Sequence, residues 1–155
     1  MTDTAAAITA FVAHEAIALV GASRVRTKFG NVAMRELRAK GYRIYPIHRD
    51  AQQIDGVKCY PGFADLPECV DAVLVVVPPF VALNVVRDVA AAGIRHVWLQ
   101  QGAESPEVLA LCNQLGLETV AGECILMFTK PTGVHRIHRW IRRACGTLPH
   151  DTSAI

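Results

Sequence analysis

The chain has 155 residues, the length of one ordinary domain, which is enough to bury about two thirds of the surface that its unfolded form exposes. Its formal net charge is only +2, too small to indicate a general nucleic-acid binder. Apolar residues make up 52% of the sequence, and this high share favours strands that are buried on both faces. We therefore predict one domain with one core and no nucleic-acid partner.

The apolar segments are too short to predict a membrane protein. The longest strongly apolar run, 72–83, is about half of the roughly 20 residues that a spanning helix needs. The N-terminal sequence MTDTAAAITAF lacks the cationic region of a secretory signal. The five cysteines are scattered and never form a C-x-x-C pair, which indicates reduced thiols. We predict a cytoplasmic location and no membrane partner.

Apolar runs of strand length alternate with segments of helical period along the chain. The first predicted element is a helix near 5–14. This alternation is typical of β-α-β units and a parallel sheet. The predicted strands are 16–21, 42–47, 72–77, 96–100 and 117–121, with a short edge strand around Cys59 as a sixth. The other predicted helices are 30–40, 81–92, 105–115 and 129–146. The fold class is therefore α/β: a doubly wound, Rossmann-like, mainly parallel sheet of five to six strands flanked by helices. Residues 1–128 are predicted to form this domain, and 129–155 to add a basic amphipathic helix and tail that pack on the domain or on a partner.

The loop after the first strand, in VGASRVRTKFGN, is the first candidate for ligand binding, because ligands of doubly wound sheets bind at the carboxyl ends of the strands. Small residues allow a tight turn whose amides can point at an anion, and cationic side chains follow. A solvated basic loop without a ligand is the alternative. The spacing is not that of the G-x-G-x-x-G dinucleotide motif. The candidate residues are Gly21, Ala22, Ser23, Arg24, Lys28, Gly30 and Asn31.

The loop after the second strand, in YPIHRDAQQ, offers the basic pair His48 and Arg49 beside Pro46 and Ile47. An NAD-binding domain places an acidic residue there to bind the ribose hydroxyls. A basic pair instead favours a phosphorylated ribose, which means the 3′-phosphate of coenzyme A or the 2′-phosphate of NADP. A surface arginine without a ligand is the alternative.

The loops after the third and fourth long strands complete the candidate site. Val77, Pro78, Pro79 and Phe80 form a stiff apolar exit that could line a ligand, although helix initiation alone would also explain the prolines. In VWLQQGAESPE, neutral amides at Gln100, Gln101 and Gly102 could bind a ligand without adding charge, and Trp98 is predicted to be core.

No side chains in these loops suggest catalysis or metal binding. A nucleophile with an adjacent base is absent from all four, so we predict no catalytic residue. His135 and His138 are three apart, but no third ligand is adjacent to them in sequence, so we predict no metal site.

The segments IALVGASRV, GYRIYPIHRDAQQIDGVKCYPGFADLPECVDAVLVVVPP, AGIRHVWLQQGAE and GLETVAGECILM, in this order, resemble the Rossmann-type CoA-binding protein family over about 15–128. The domain of this family is similar to the N-terminal domain of the succinyl-CoA synthetase alpha subunit. The resemblance implies that Gly21, Ala22 and Ser23 hold the phosphates of the ligand and that Lys28 and the nearby arginines offset their charge. It also implies that Pro46 and Ile47 flank the nucleotide, and that Pro78, Pro79 and Phe80 line its adenine or pantetheine side.

The resulting expectation is a stand-alone, non-catalytic module that binds coenzyme A or an acyl-CoA. The related synthetases use a second domain with a phosphorylatable histidine, which we do not find in this sequence. Two alternatives remain: an NADP-dependent oxidoreductase, motivated by Arg49, and a regulatory or assembly subunit that senses acyl-CoA. In the latter, 129–146 would contact a protein partner. A homodimer is the other partner interaction that we expect. Cys124 is the candidate for a mixed disulfide with coenzyme A.

Overall fold

The structure, a computed structural model, describes residues 3–129. This range contains, in chain order, α1 (Thr4–Val12), β1 (Ala16–Val20), α2 (Phe29–Ala39), β2 (Arg43–Ile47), β3 (Gln53–Ile54), β4 (Val57–Lys58), β5 (Ala72–Val75), α3 (Pro79–Ala91), β6 (His96–Leu99), α4 (Pro106–Gln114) and β7 (Glu118–Ala121). Single 3-10 turns cover Phe63–Asp65 and Ile125–Met127. The predicted helix at 129–146 lies outside the described residues except for Thr129. None of the helices described is long and apolar enough to cross a membrane.

Five strands form one parallel sheet in the order β2-β1-β5-β6-β7. The chain thus builds outward from β1 in one direction through β2, and then in the other direction from β5 to β7. The prediction of a doubly wound, Rossmann-like fold is confirmed, and each predicted long strand is found with ends that differ by one or two residues. The point where strand order reverses lies between β1 and β5, and in such sheets this is where ligands bind.

The strands form because their side chains are covered on both faces. All four residues of β5 are buried, and Ile17, Ala18 and Leu19 of β1 have no exposed surface. Alternate residues contribute to two separate apolar cores, one on each side of the sheet, where the sequence analysis predicted a single core. Trp98 belongs to the first core, where it packs edge-on against Phe11 of α1, as its predicted core position requires. Each such large side chain stabilises the fold by roughly 1.5–3 kcal/mol through burial.

The short strand expected around Cys59 is in a different place from the prediction. Val57–Lys58 pairs antiparallel with Gln53–Ile54 in a separate two-stranded hairpin, so the main sheet has five strands among the described residues rather than six. After this hairpin, Tyr60 forms only a single parallel bridge to Ile47. The hairpin turn is Asp55 and Gly56, both with positive φ (49° and 75°), as a two-residue turn of this type requires.

Candidate functional site

Two helices begin at the carboxyl ends of β1 and β5 without a side-chain cap. The N-cap residue of α2 is Lys28 and that of α3 is Pro78, and neither makes a side-chain hydrogen bond to its helix. By contrast, Ser105 caps α4, accepting from the Val108 amide at 3.2 Å. The first amides of an α-helix have no partner within the helix, and the helix dipole favours negative charge there. The start of α2, beside the strand-order reversal, can therefore bind an anion, whereas Pro78 and Pro79 have no N–H to donate at the start of α3.

Glycine is required at two positions of the loop between β1 and α2. Gly21 has φ +126°, and a β-carbon on it would lie 2.1 Å from the carbonyl oxygen of Val76, just beyond β5. A β-carbon on Gly30 would lie 2.3 Å from the carbonyl oxygen of Gly21. The two glycines therefore let the helix start, the turn and the neighbouring strand pack against one another. Glycines of the dinucleotide motif serve the same purposes, a tight turn and close helix packing, at a different spacing.

The buried side chain of Asn31 holds this loop in place. Its Oδ1 accepts from the Ser23 amide at 2.8 Å, and its Nδ2 donates to the Ser23 carbonyl oxygen at 2.7 Å. The same Nδ2 donates to Asp55 Oδ2 in the hairpin turn at 3.1 Å. Asn31 is fully buried, so loss of these bonds would leave polar groups unpaired. Asn31 is thus placed as a loop-fixing residue, and the Ser23 amide is already occupied.

Asp55 neutralises two cations next to the loop. It forms an ion pair with Arg26, whose Nε lies 3.1 Å from Oδ1, and it accepts a hydrogen bond from Arg35 Nη1 at 2.8 Å. The Asp55 side chain is only 6% exposed. The resemblance implied that the arginines near Lys28 offset phosphate charge, but Arg26 is paired within the chain. The sequence interpretation did not include Asp55. The signal was present, because an Asp-Gly pair between short apolar segments is a strong indicator of a hairpin turn.

Three other cations at this edge have no acidic partner among residues 3–129. Arg24 and Lys28, in the loop after β1, and Arg49, in the loop after β2, are exposed. Within residues 3–129 none of the three forms an ion pair or a side-chain hydrogen bond. Neighbouring β1 and β2 bring these two loops to the same edge of the sheet. Unpaired positive charge on the loops that flank an uncapped helix start is suited to a ligand with several phosphates.

His48 has a structural role in the loop after β2. Its Nδ1 accepts from the amides of Asp50 and Ala51 at 3.2 and 2.9 Å. This arrangement fixes the turn that presents Arg49 and leaves the N–H at Nε2 as the free donor. On the preceding strand, Pro46 is buried and Ile47 is half-buried, so the apolar surface offered here comes from Ile47.

An exposed aromatic side chain marks the start of α3. Phe80 is 75% exposed, which is unusual for a large apolar residue, and it follows Val77, Pro78 and Pro79 at the exit of β5. Phe29 and Val25, in the loop and helix that follow β1, are exposed as well. Apolar side chains left in water beside unpaired cations are typical of a surface that binds an amphipathic ligand.

The amides after β6 are used within the protein. Gln100 is buried and accepts from the Ile125 amide at 3.1 Å, while Gln101 Nε2 donates to the Gly122 carbonyl oxygen at 3.2 Å. The Gly102 amide donates to Glu104 Oε2 at 2.9 Å. Gln101 and Gly102 lie at the predicted edge, but a ligand contact through these donors requires that the present hydrogen bonds open.

The described cysteines are all free thiols. Burial raises the pKa of Cys59 and of Cys112, which makes these two thiols poor nucleophiles. Cys69 is exposed, and Cys124, in the segment after β7, is half-buried. The mixed disulfide of Cys124 with coenzyme A stays a prediction.

Comparison with known proteins identifies the family of this chain. The model of the CoA binding domain family matches residues 15–130. The chain belongs to the CoA binding domain family. The matched segment includes β1 to β7 and all the loops at the candidate site, so the resemblance found in the sequence is confirmed.

The relatives include whole enzymes of which this chain matches one part. An ADP-forming acetate–CoA ligase (II) of Archaeoglobus fulgidus is 34% identical over 95 residues, which is 60% of this chain and 14% of the ligase. The chain matches only 12% to 18% of the length of the first curated relatives. Among solved structures, the apo form of dinucleotide-forming acetyl-coenzyme A synthetase 1 of Ca. Korarchaeum cryptofilum is 30% identical with a TM-score of 0.59. That match covers 68% of this chain and 25% of the synthetase.

A relative of similar size also exists. A conserved hypothetical protein of Pyrococcus furiosus is 39% identical to this chain, with a TM-score of 0.69. The match covers 73% of this chain and 97% of the other. The domain is therefore found both within large ligases and in a chain that consists of little else.

Proposed function

We propose that this protein binds coenzyme A or an acyl-CoA at the carboxyl edge of its sheet. The observation that carries the proposal is the pre-formed loop after β1, which Asn31 fixes beside the uncapped start of α2. Its surroundings hold three cations that form no ion pair within the described part of the chain: Arg24, Lys28 and Arg49. Coenzyme A has a diphosphate, a 3′-phosphate and apolar portions, and this combination matches the charge and the exposed apolar side chains at the edge.

The parts of the ligand can be assigned to the loops by charge and polarity. We infer that the diphosphate lies at Gly21, Ala22 and Ser23, close to Arg24 and Lys28. The 3′-phosphate then lies at Arg49 and the Nε2 of His48. Ile47 beside Pro46, and Phe80 beside Pro78 and Pro79, provide apolar surface for the adenine or the pantetheine arm. Gln101 and Gly102 are at the far side of the site, where they would contact the ligand if their present partners release them.

We further propose that the domain acts alone, by binding and without turnover. The Pyrococcus furiosus relative supports this, because the match covers nearly its whole length. The ligase relatives support the alternative in which the domain serves a larger assembly. A cytoplasmic location and a homodimer or protein partner contacted through 129–146 stay predictions. Light scattering of the full chain, with and without coenzyme A, would measure the oligomeric state.

Isothermal titration of the full chain tests the proposed ligand. We expect heat with coenzyme A and acetyl-CoA and a weaker response to 3′-dephospho-CoA, because the latter lacks the phosphate assigned to Arg49. Arg49→Gln should reduce affinity for coenzyme A about tenfold while leaving 3′-dephospho-CoA almost unaffected, since an ion pair with phosphate is charge-assisted. Arg38→Gln is the matched control, because Arg38 is exposed in the last turn of α2, away from the edge. Absence of heat with both CoA species would refute the proposal.

NADP binding is the second candidate function, and the observation that favours it is the Arg49 guanidinium, which forms no ion pair among residues 3–129. Titration with NADP and NAD in the same series separates the two ligands. If NADP binds more tightly than coenzyme A, and NADP is reduced in the presence of a panel of substrates, NADP-dependent oxidoreduction becomes the preferred function.

A further inference from the structure

Three metal-ligating side chains meet at the amino ends of the strands, at the opposite end of the sheet from the candidate CoA site. His14 follows α1, Asp71 directly precedes β5, and His96 is the first residue of β6. One ligand atom from each of the three lies within 4.8 Å of the others, and all three residues are half-buried. The imidazole rings of His14 and His96 are 4.7 Å apart between centroids. The sequence prediction of no metal site did not consider this group, because its members are far apart along the chain.

Each ligand is held by the backbone around it. The His14 amide donates to the Phe11 carbonyl oxygen at 3.1 Å, which fixes His14 at the end of α1. Asp71 Oδ1 accepts from the Arg95 amide at 2.9 Å, so its other oxygen, Oδ2, is the one near His96. The His96 amide donates to the Asp71 carbonyl oxygen at 3.2 Å. Two of the three ligands are thus joined to adjacent strands of a rigid sheet.

The nitrogen atoms of His96 face different carboxylates. Its Nδ1 is 3.4 Å from Oε2 of Glu118, the residue paired with it on β7, and its Nε2 is 3.8 Å from Asp71 Oδ2. A carboxylate at Nδ1 favours the proton on that nitrogen and leaves Nε2 as the lone-pair donor. Metal-bound histidines in proteins commonly have this carboxylate–imidazole–metal arrangement, in which the carboxylate orients the ring.

The three ligand atoms are slightly farther apart than the ligands of a tetrahedral ion. Metal–ligand distances of 2.0–2.2 Å place neighbouring ligand atoms about 3.4 Å apart, so side-chain movements of about 1 Å would close the group around an ion. Two imidazoles and one carboxylate are a ligand set for zinc and for related divalent first-row metals, and three protein ligands leave a further position open to water.

We propose that His14, Asp71 and His96 bind one divalent first-row transition-metal ion, with Zn²⁺ as the expected occupant, and that Glu118 is the positioning residue for His96. The ion joins the end of α1 to β5 and β6. Asp71 also lines a cavity of about 520 Å³, together with Glu68, Cys69 and Arg95 among others.

Zinc titration of the full chain tests the proposal. After treatment with a chelator, we expect one equivalent of Zn²⁺ to bind, to raise the melting temperature and to be released by chelator again. Co²⁺ should give the visible absorption of a four-coordinate ion, while Mg²⁺ should have no effect. His14→Gln, His96→Gln and Asp71→Asn should each abolish the high-affinity equivalent and the thermal shift. In Asp71→Asn the amide oxygen can still accept from the Arg95 amide, so this variant separates ligation from folding.

Two further variants test the role of Glu118 and whether the loss of zinc binding is specific to the proposed ligands. Glu118→Gln should weaken Zn²⁺ binding about tenfold without abolishing it, as expected of a residue that orients a ligand. Asp88→Asn, an exposed acid on α3, should leave the Zn²⁺ affinity unchanged. If the ligand variants keep the zinc equivalent, or if it is lost only on replacing His135 and His138, the proposal is wrong. Retention of coenzyme A binding in His14→Gln would show that the two sites are independent.

Discussion

Gly30 contacts Gly21 so closely that a β-carbon on Gly30 would lie 2.3 Å from the Gly21 carbonyl oxygen and 2.8 Å from its carbonyl carbon. Both contact atoms belong to the backbone, so no side chain can rotate away to make room. The start of α2 is therefore tied to the turn at the end of β1, which is the part of the molecule that we assign to the ligand phosphates.

Gly30→Ala should disturb both the fold and the binding site. The added methyl group forces the helix start away from the turn, and we expect a loss of about 1–3 kcal/mol in the free energy of unfolding, together with weaker coenzyme A binding. Urea unfolding and calorimetric titration measure the two effects. Gly62→Ala is the matched control, because Gly62 has an extended backbone and its new β-carbon would meet only Asp65 Oδ2, at 3.5 Å. Equal stability of the two variants would contradict the packing argument.

Asp55→Asn should change stability and affinity in opposite directions. The side chain loses its ionic contacts with Arg26 and Arg35, which we expect to lower the free energy of unfolding by about 1–3 kcal/mol. Asparagine tolerates the positive φ at this position. The two released guanidinium groups add positive charge near the phosphates, so affinity for coenzyme A at low salt should rise and depend more steeply on salt. Asp88→Asn controls for the change in net charge, and an unchanged salt dependence would argue against the cations acting on the ligand.

Phe80→Ala should reduce binding without reducing stability. Because Phe80 is 75% exposed, its removal should change the free energy of unfolding by no more than about 0.5 kcal/mol. Loss of an aromatic surface that stacks on a base should weaken binding by roughly 1 kcal/mol, about fivefold. Leu115→Ala, at the far end of α4, serves as the control. Full affinity in the Phe80 variant would remove this residue from the proposed site.

Glu68→Gln should destabilise the protein at neutral pH but not in acid. Glu68 accepts from Arg43 Nε and Nη2 at 3.0 and 2.8 Å, and the Tyr45 hydroxyl donates to it as well. The hydrogen bonds from Arg43, and then that from Tyr45, hold the pKa of Glu68 below its ordinary value. This carboxylate therefore stabilises the fold fully above its unfolded-state pKa, and the contribution disappears as pH falls through the lower folded-state pKa.

For the half-exposed Glu68–Arg43 pair, we expect Glu68→Gln to lower the free energy of unfolding by roughly 0.5–1 kcal/mol at pH 7 and low salt, and by less at high salt. Urea unfolding at neutral pH and at a pH well below 4 would measure it. Glu36→Gln, at an exposed position of α2 without an ion pair among residues 3–129, is the comparison. A difference that persisted in acid would have to come from packing.

The long strands could be predicted from sequence because each is a run of apolar residues that must be buried on both faces. The β3–β4 hairpin was not predicted, since strands of two residues have almost no periodic pattern. Its turn could have been recognised from the Asp-Gly pair. The glycine turn was found, but the distance between Gly21 and Gly30 along the chain hid their contact. The neutralisation of Arg26 depends on an acid in that hairpin. His14, Asp71 and His96 lie together because of the strand order, which cannot be predicted from a local sequence pattern.

The bond between Asn31 and Asp55 has a consequence for detecting the ligand. It links the loop after β1 to a hairpin of two-residue strands, which alone would open easily. Because coupling between sites is reciprocal, a ligand that orders the loop must also slow the opening of the hairpin. The Cys59 N–H donates to the Gln52 carbonyl oxygen within this hairpin. Slower amide hydrogen exchange at Cys59 would then show that the ligand is bound, although Cys59 is not part of the candidate site.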